Sequence, residues 1–254
     1  MEPVPKQTDA SVTQDHVLGG RVALRQGVNG YRAGMDAALL AAACDAPPGA
    51  RVLEAGCGAG GALLAAAARQ PSAHFVGVER DPAAAALARA NAAANGMEAR
   101  VEILNADIAA PFSRLARAPF DLVMANPPFF DDPAALRAPA AEKRGAWMAD
   151  GGLAAWTAFL LKAAREGGTI VMIHRADRLA DLLALLAPKA GSFQVRPVHP
   201  RAEAPAKRVL VRAVKTGKAP LALLPPLVMH PAQGAKHTPQ AEAILRGETA
   251  LAWL

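Results

Sequence analysis

The chain has 254 residues, 52% of them hydrophobic and 20% charged, which predicts one large domain or one domain with a small added lobe. No apolar run approaches the roughly 18 residues of a membrane span, and the polar start lacks a signal-peptide core, so we expect a cytoplasmic protein. The two cysteines, Cys44 and Cys57, lie far apart without metal-ligand spacing and indicate neither a disulfide framework nor a zinc site.

The formal net charge of +6 is unevenly distributed along the chain. Residues 1–130 contain 11 Lys and Arg against 12 Asp and Glu, whereas residues 131–254 contain 17 against 10. Eight basic residues lie between Lys189 and Lys218, with Glu203 as the one acid. Such a stretch suits phosphate contacts to a nucleic acid, and an ordinary solvated strand face is the alternative.

The predicted elements begin with a short hairpin over Leu18–Gln26, outside the main sheet, and a helix over Met35–Cys44. Short apolar runs then alternate with helical segments, which is typical of a parallel sheet built from β-α-β units. The predicted strands are Val52–Ala55, Phe75–Val78, Val101–Leu104, Phe120–Ala125 and Thr169–His174. The predicted helices between and after them are Ala62–Arg69, Pro82–Asn95, Leu153–Arg165 and Arg178–Ala187.

Two strands near the C-terminus, Phe193–Val198 and Arg208–Val214, follow one another without a helix and should pair antiparallel. The expected fold is therefore α/β, a doubly wound and mostly parallel sheet of about seven strands with an antiparallel edge strand. A short helix is predicted from about Pro239 to Arg246. The segment 130–150 is longer than a simple connection between two elements, so we expect a functional or mobile loop there.

A glycine-rich segment follows the first strand of the main sheet, with Gly56, Gly58 and Gly60 at alternate positions. Glycines at such a turn let the backbone bend tightly and approach a ligand closely. The spacing differs from the dinucleotide fingerprint, and Glu54 stands just before the first glycine. A carboxylate there would repel a pyrophosphate but suits a cationic amino group, which favours S-adenosylmethionine as the cofactor.

Two more acids are predicted at the ends of the next strands. Glu79 ends the second strand, about twenty residues after the glycines, where a carboxylate can accept both hydroxyls of a ribose. Asp107 follows the third strand and can receive an adenine amino group. The alternative for Glu79 is that it serves, together with Asp81, as a helix-capping or surface acid. The alternative for Asp107 is that it caps a short turn at Ile108.

The segment Asn126-Pro127-Pro128-Phe129 ends the fourth strand, because two prolines cannot continue it. The Asn126 side-chain oxygen and the Pro127 carbonyl can accept the hydrogens of a planar amine, and Phe129 can stack on its ring. These three residues are the predicted catalytic group, and Asn126 is also assigned to the cofactor side. Such a group requires neither a metal nor a covalent intermediate. The alternative is a strand-ending turn with Phe129 in the core.

Taken in order, these motifs resemble the class I S-adenosylmethionine-dependent amino methyltransferases. Three further segments are similar to the bacterial tRNA1(Val) adenine N6-methyltransferase family: Gly30-Tyr31-Arg32 with Met35-Asp36-Ala37-Ala38-Leu39-Leu40, Pro205-Ala206-Lys207-Arg208-Val209-Leu210-Val211, and Leu224-Pro225-Pro226-Leu227-Val228-Met229-His230. The resemblance implies a Rossmann-like fold and methyl transfer to the N6 amine of an unpaired adenine in the anticodon loop of a tRNA. The alternatives are a ribosomal RNA base amine, a protein glutamine amide, and an RNA-binding module that keeps the cofactor pocket without using it.

The resemblance and the basic stretch also predict substrate contacts and a division of the chain. We expect residues 1–48 to form an extension and helix on the cofactor pocket, residues 49–218 the methyltransferase domain, and residues 219–254 a tail packed on the core. The expected partner is tRNA or another RNA, without a metal or a membrane. For Trp147, the alternative to a substrate contact is a structural role as a hydrophobic anchor under the loop. The predicted substrate-binding residues are Tyr31, Arg32, Arg137, Lys143, Arg144, Trp147, Lys207 and Arg208.

Overall fold

The computed structural model describes residues 12–28, 33–129 and 152–253. Its strands are β1 (Val12–Val17), β2 (Val22–Gly27), β3 (Arg51–Ala55), β4 (His74–Glu79), β5 (Val101–Asn105), β6 (Phe120–Ala125), β7 (Ala164–Arg175), β8 (Ala190–His199), β9 (Arg208–Lys215), β10 (Ala222–Leu223) and β11 (Leu227–Val228). Its α-helices are α1 (Met35–Ala43), α2 (Gly61–Arg69), α3 (Pro82–Ala94), α4 (Gly152–Ala163), α5 (Leu179–Leu186) and α6 (Pro239–Arg246).

The seven long strands of the main sheet follow the order β5-β4-β3-β6-β7-β9-β8. Neighbouring strands are parallel except at β9, which pairs antiparallel with both β7 and β8. The strand order reverses between β3 and β6, so the ends of these two strands form the switch point of a doubly wound sheet. The predicted fold class is therefore confirmed.

The antiparallel strand lies inside the sheet instead of at its edge. Residues 200–207 connect β8 to β9, and such a connection is too short for a parallel crossover of a dozen or more residues. The strand β9 therefore runs back beside β8 and fills the place next to β7. The two-residue strands β10 and β11 add to the outer side of β8 in parallel.

Helices cover both faces of the sheet, and alternate residues of the central strands point to different cores. Val52 packs in the layer that contains α1 and α2, whereas Leu53 packs in the layer that contains α4 and α5. Strands that are covered on both faces read as continuous apolar runs, which is why Phe120–Ala125 could be predicted with its observed bounds.

The hairpin of β1 and β2 forms a sheet separate from the main one, as expected, but its first strand, Val12–Val17, lies before the predicted range Leu18–Gln26. At the other end of the chain, α6 begins with the Thr238 side chain accepting a hydrogen bond from Ala241 N–H and ends at Gly247 in the left-handed conformation. The following segment reaches α1, where Trp253 Nε1 donates to the Ala43 carbonyl at 2.9 Å. No helix of the described ranges is long and apolar enough to cross a membrane.

Candidate active site

The glycine-rich turn connects β3 to α2 at the carboxyl edge, which we define as the edge of the main sheet where the parallel strands end. Gly56, Gly58 and Gly60 have φ values of 65°, 54° and 90°, a region that favours glycine. The Cys57 N–H donates to the Val78 carbonyl at 3.0 Å, so the turn lies over the end of β4. A side chain added at Gly58 would meet nothing within 4 Å, so a ligand can approach the backbone there.

Glu79 is fixed beside this turn by two backbone amides. Its Oε2 accepts from Gly58 N–H at 2.9 Å, and its Oε1 accepts from Asp81 N–H at 2.8 Å. Each carboxylate oxygen keeps a further lone pair with which it can accept a ligand hydroxyl. The capping role named as an alternative belongs to Asp81, whose side chain accepts from Ala83 N–H at the start of α3.

Asp107 follows β5 and takes part in the local turn named as its alternative. Its Oδ1 accepts from Ala109 N–H at 2.9 Å, whereas its Oδ2 makes no hydrogen bond to the described part of the chain. Asn105 donates from Nδ2 to the carbonyls of Glu79 and Arg80, at 2.9 Å each, and so ties the ends of β4 and β5 together. One carboxylate oxygen of Asp107 therefore remains for a ligand amine.

Glu54 is buried below the glycine-rich turn, with 3% of its surface exposed. Burial raises the pKa of its carboxyl from 4.5 to about 8, a hydrogen bond from Leu63 N–H at the start of α2 opposes the rise, and the charge of Glu79 adds to it. The Oε2 atom is buried without a hydrogen-bond partner among residues 12–28, 33–129 and 152–253. A cationic ligand group would stabilise the ionised form, so the donor set fits the methionyl end of S-adenosylmethionine.

The raised pKa of Glu54 makes stability depend on pH in a defined direction. Below about pH 4.5 the carboxyl is protonated in both the folded and the unfolded chain and has no effect. Between about 4.5 and 8 the unfolded chain loses this proton while the folded chain keeps it, so the contribution of Glu54 to stability falls as pH rises.

Asn126 and the two prolines lie at the switch point, directly after β6. Ala125 pairs with Ala55 of the parallel strand β3, so Asn126 and Gly56 each follow a paired residue on neighbouring strands. Neighbouring strands lie about 4.8 Å apart, which places the amide beside the first glycine. Asn126 is half-buried and Pro127 is buried.

Phe129 does not belong to either hydrophobic core and packs between polar side chains instead. The Arg208 guanidinium lies over one face of its ring, with Cζ at 4.4 Å from the centroid. The buried His174 ring meets Phe129 edge to face, with centroids 5.2 Å apart. Arg208 Nε also donates to Asp36 Oδ2 of α1 at 3.0 Å, so three distant segments meet at this ring.

The basic stretch between Lys189 and Lys218 does not form one continuous surface, because β8 and β9 cross the whole sheet. Arg201 and Lys207 are exposed between these strands, near the carboxyl edge. Lys215 bonds Glu166 and the Ala164 carbonyl at the opposite edge. Arg196 donates to the carbonyls of Pro225 and Ala252 and so holds the C-terminal tail.

Several predicted substrate residues lie outside the described residues: Tyr31, Arg32, Arg137, Lys143, Arg144 and Trp147. The chain next to the first two is described from Ala33, which lies so close to α2 that a side chain added at Gly61 would overlap its Cβ. Gln26 fixes this approach, because its Oε1 accepts from Ala33 N–H at 2.6 Å. The predicted Lys207 and Arg208 are both described, and of these two residues Arg208 contacts the Phe129 ring.

Sequence reasoning missed two residues of this site. The Trp156 ring of α4 lies against Gly56, where an added Cβ would overlap its six-membered ring. Asn91 of α3 is fully buried and donates from Nδ2 to the carbonyls of Ala59 and Arg25, at 2.8 and 2.9 Å. A single Asn within an Ala-rich helix was the available signal, because Asn is an unfavourable residue in a helix interior unless its amide has a partner.

Comparison with known proteins extends these observations. Residues 25–142 match the family model described as methyltransferase small domain. A tRNA1(Val) (adenine(37)-N6)-methyltransferase of Porphyromonas gingivalis is 40% identical over 105 residues, which cover 39% of this chain and 41% of that protein. A release factor glutamine methyltransferase of Chlorobaculum tepidum is 29% identical over 165 residues, which cover 62% of this chain and 56% of that protein.

The first curated relatives are matched over 31% to 56% of their own length, so the chain spans only part of each of them. Among solved structures, a predicted O-methyltransferase from Agrobacterium tumefaciens has a TM-score of 0.72 and 28% identity. The match covers 86% of this chain and 99% of that chain. The names of these relatives all describe methyl transfer, but they state different methylated groups.

Proposed function

We propose that this chain is a class I S-adenosylmethionine-dependent methyltransferase and that it methylates the exocyclic N6 amine of an unpaired adenine in a tRNA anticodon loop. The observation that carries the proposal is the position of Asn126-Pro127-Pro128-Phe129 at the switch point, one strand away from the glycine-rich turn. Two carbonyl-type acceptors and one aromatic ring are thereby brought beside the predicted cofactor pocket.

The residues of β3, β4 and β5 would hold S-adenosylmethionine. Glu79 would accept the ribose hydroxyls with the lone pairs that Gly58 and Asp81 leave unused. Asp107 Oδ2 would accept from the adenine amine, and the buried Oε2 of Glu54 would face the methionyl ammonium. When bound, the cofactor supplies an electrophilic methyl group on a positively charged sulfur.

Asn126 and Pro127 would prepare the acceptor nitrogen. The lone pair of an aromatic amine is delocalised into the ring, and two fixed acceptors for its hydrogens stabilise positive charge as it develops on the nitrogen. The amine nitrogen held by these two acceptors would form the new bond to the methyl group that the bound cofactor supplies, and sulfur would keep the electron pair of the broken carbon–sulfur bond. The extra proton on nitrogen would then leave to water, so no general base within the chain would be required.

Phe129 would select the form of the target. An amine inside a stacked duplex cannot reach the corner, so the adenine has to be unpaired or flipped out. Stacking on an aromatic ring holds such a base, at about 1–3 kcal/mol per base. The exposed Arg201 and Lys207 lie near the same edge, where they can contact phosphates on either side of the base.

A second candidate function is methylation of a protein glutamine amide, because release factor glutamine methyltransferases are among the relatives. Both candidates are separated by incubating the protein with methyl-labelled S-adenosylmethionine and bulk tRNA, ribosomal RNA or total protein. We expect label in the tRNA fraction, recovered as N6-methyladenosine after nucleoside digestion. Label confined to protein glutamine would support the second candidate. Cofactor binding without label in any fraction would support a binding module that lacks activity.

A further inference from the structure

Arg208 is predicted from the sequence to contact substrate, but the fold gives its guanidinium another set of partners. Nε donates to Asp36 Oδ2 at 3.0 Å, one terminal nitrogen donates to the Lys207 carbonyl at 3.1 Å, and the plane covers Phe129 at 4.4 Å. The side chains of Arg208 and Asp36 are 28% and 14% exposed, so the ion pair is partly shielded from water. These contacts use two of the five N–H donors of the guanidinium and hold its plane against the Phe129 ring.

The contacts of Phe129 restrict where a guest can stack on its ring. Arg208 occupies one face of the ring, and the His174 ring meets Phe129 in a T-shaped arrangement with an interplanar angle of 88°. The face that carries the guanidinium is therefore closed to a planar base. The cation and the imidazole together fix the height and tilt of the ring on which that base would lie.

We propose that Arg208, held in place by Asp36, is a positioning residue that fixes Phe129 for stacking of the target base. The inference rests on the proposed function, since it concerns the same acceptor site. It differs from the phosphate-contact role that the basic stretch favours, and it assigns a role to the acid in the first turn of α1. The orientation of the base relative to the methyl donor would depend on a residue that touches neither.

The two roles of Arg208 predict different kinetics. Arg208→Lys keeps the positive charge but loses the planar group that stacks on Phe129 and binds Asp36 through Nε. With tRNA as substrate, we expect kcat to fall about 100-fold, because a displaced acceptor ring misplaces the amine. The dissociation constant of S-adenosylmethionine should stay within a few-fold of wild type. A phosphate contact would instead survive this substitution with kcat unchanged.

Salt dependence gives the second measurement. For tRNA binding, removal of a phosphate contact lowers the slope of log K against log salt by about one unit. We expect Lys207→Ala to show this change, whereas Arg208→Ala should lose kcat and keep the wild-type slope. Lys218→Ala, an exposed lysine near the opposite edge of the sheet, is the matched control and should behave as wild type in both assays.

Substitution of Asp36 tests whether its ion pair with Arg208 is needed for the positioning role. Asp36→Asn should lower kcat in the same direction as Arg208→Lys but less strongly, and the double variant should be no slower than Arg208→Lys alone. A reduced salt slope with unchanged kcat in Arg208→Ala, or additive losses in the double variant, would overturn the positioning role. A wild-type protein that methylates no RNA would overturn the proposed function itself, and this inference with it.

Discussion

Adding one methyl group at Gly56 or at Gly58 should have different effects, although both glycines have positive φ. In either variant the alanine would be held in a left-handed conformation, which costs about 1–2 kcal/mol. At Gly56 the new Cβ would also overlap the Trp156 ring, and overpacking of this kind costs about 1–3 kcal/mol more. Gly58→Ala meets open space and should show the conformational cost alone.

The free energies of unfolding in urea measure this difference directly. We expect Gly56→Ala to be destabilised by about 2–5 kcal/mol and Gly58→Ala by about 1–2 kcal/mol. Calorimetric titration with S-adenosylmethionine should rank the variants in the opposite order. The Cβ at residue 58 would enter the space where the ligand approaches, so affinity should fall at least about tenfold, the equivalent of about 1.4 kcal/mol.

Trp156→Phe provides the control for the steric part. The phenyl ring lacks the outer ring of the indole, so the Gly56→Ala/Trp156→Phe protein should recover most of the overpacking cost and none of the conformational cost. The interaction energy of this double-mutant cycle should be about 1–3 kcal/mol. Equal destabilisation of Gly56→Ala and Gly58→Ala, or an interaction energy near zero, would refute the assignment of Trp156 to this contact.

Three other substitutions test the remaining parts of the site. The wild-type protein should lose stability on the order of 5 kcal/mol between about pH 4.5 and 8, and Glu54→Gln should not show this loss when urea unfolding is measured across that range. The same variant should release no proton when it binds the cofactor near pH 7. A pH profile equal to that of the wild type would contradict the buried carboxyl. Asn126→Ala should keep cofactor affinity within a few-fold and lose turnover, whereas an equal fall in both would show that Asn126 serves the fold. Asn91→Ala should cost about 2–4 kcal/mol, since it removes bonds to Arg25 and Ala59 from a fully buried amide; Asn105→Ala, at an exposed position, is the control and should cost less.

Local signals explain which parts of the fold could be predicted from the sequence. The bounds of α6 agree with the prediction, because Thr238, Pro239 and Gly247 mark its two ends with their own backbone preferences. The boundary after α4 was wrong by two residues. The predicted helix ended at Arg165, but Ala164 pairs with Phe120 of β6, so the chain leaves the helix at Ala163.

Contacts between distant segments explain what could not be predicted. The overlap of Gly56 with Trp156, the bond from Asn91 to Ala59 and the ion pair of Asp36 with Arg208 each join residues from different elements. No spacing within one segment encodes such a pair. The motif segments containing Asp36 and Arg208 could be recognised separately, whereas their meeting over Phe129 follows only from the register that sets Arg208 beside Arg175.

The strand order determines where the unevenly distributed charges of the chain lie in the fold. A doubly wound sheet places β3, β4 and β5 on one side of the switch point and β7, β9 and β8 on the other. The acids of the first side, Glu54, Glu79 and Asp107, suit a donor with a cationic sulfur and ammonium group. The exposed cations Arg201 and Lys207 lie on the second side, where a polyanion would approach. Asn126 stands between the two sides, so the proposed reactants, of opposite charge, would meet at this residue.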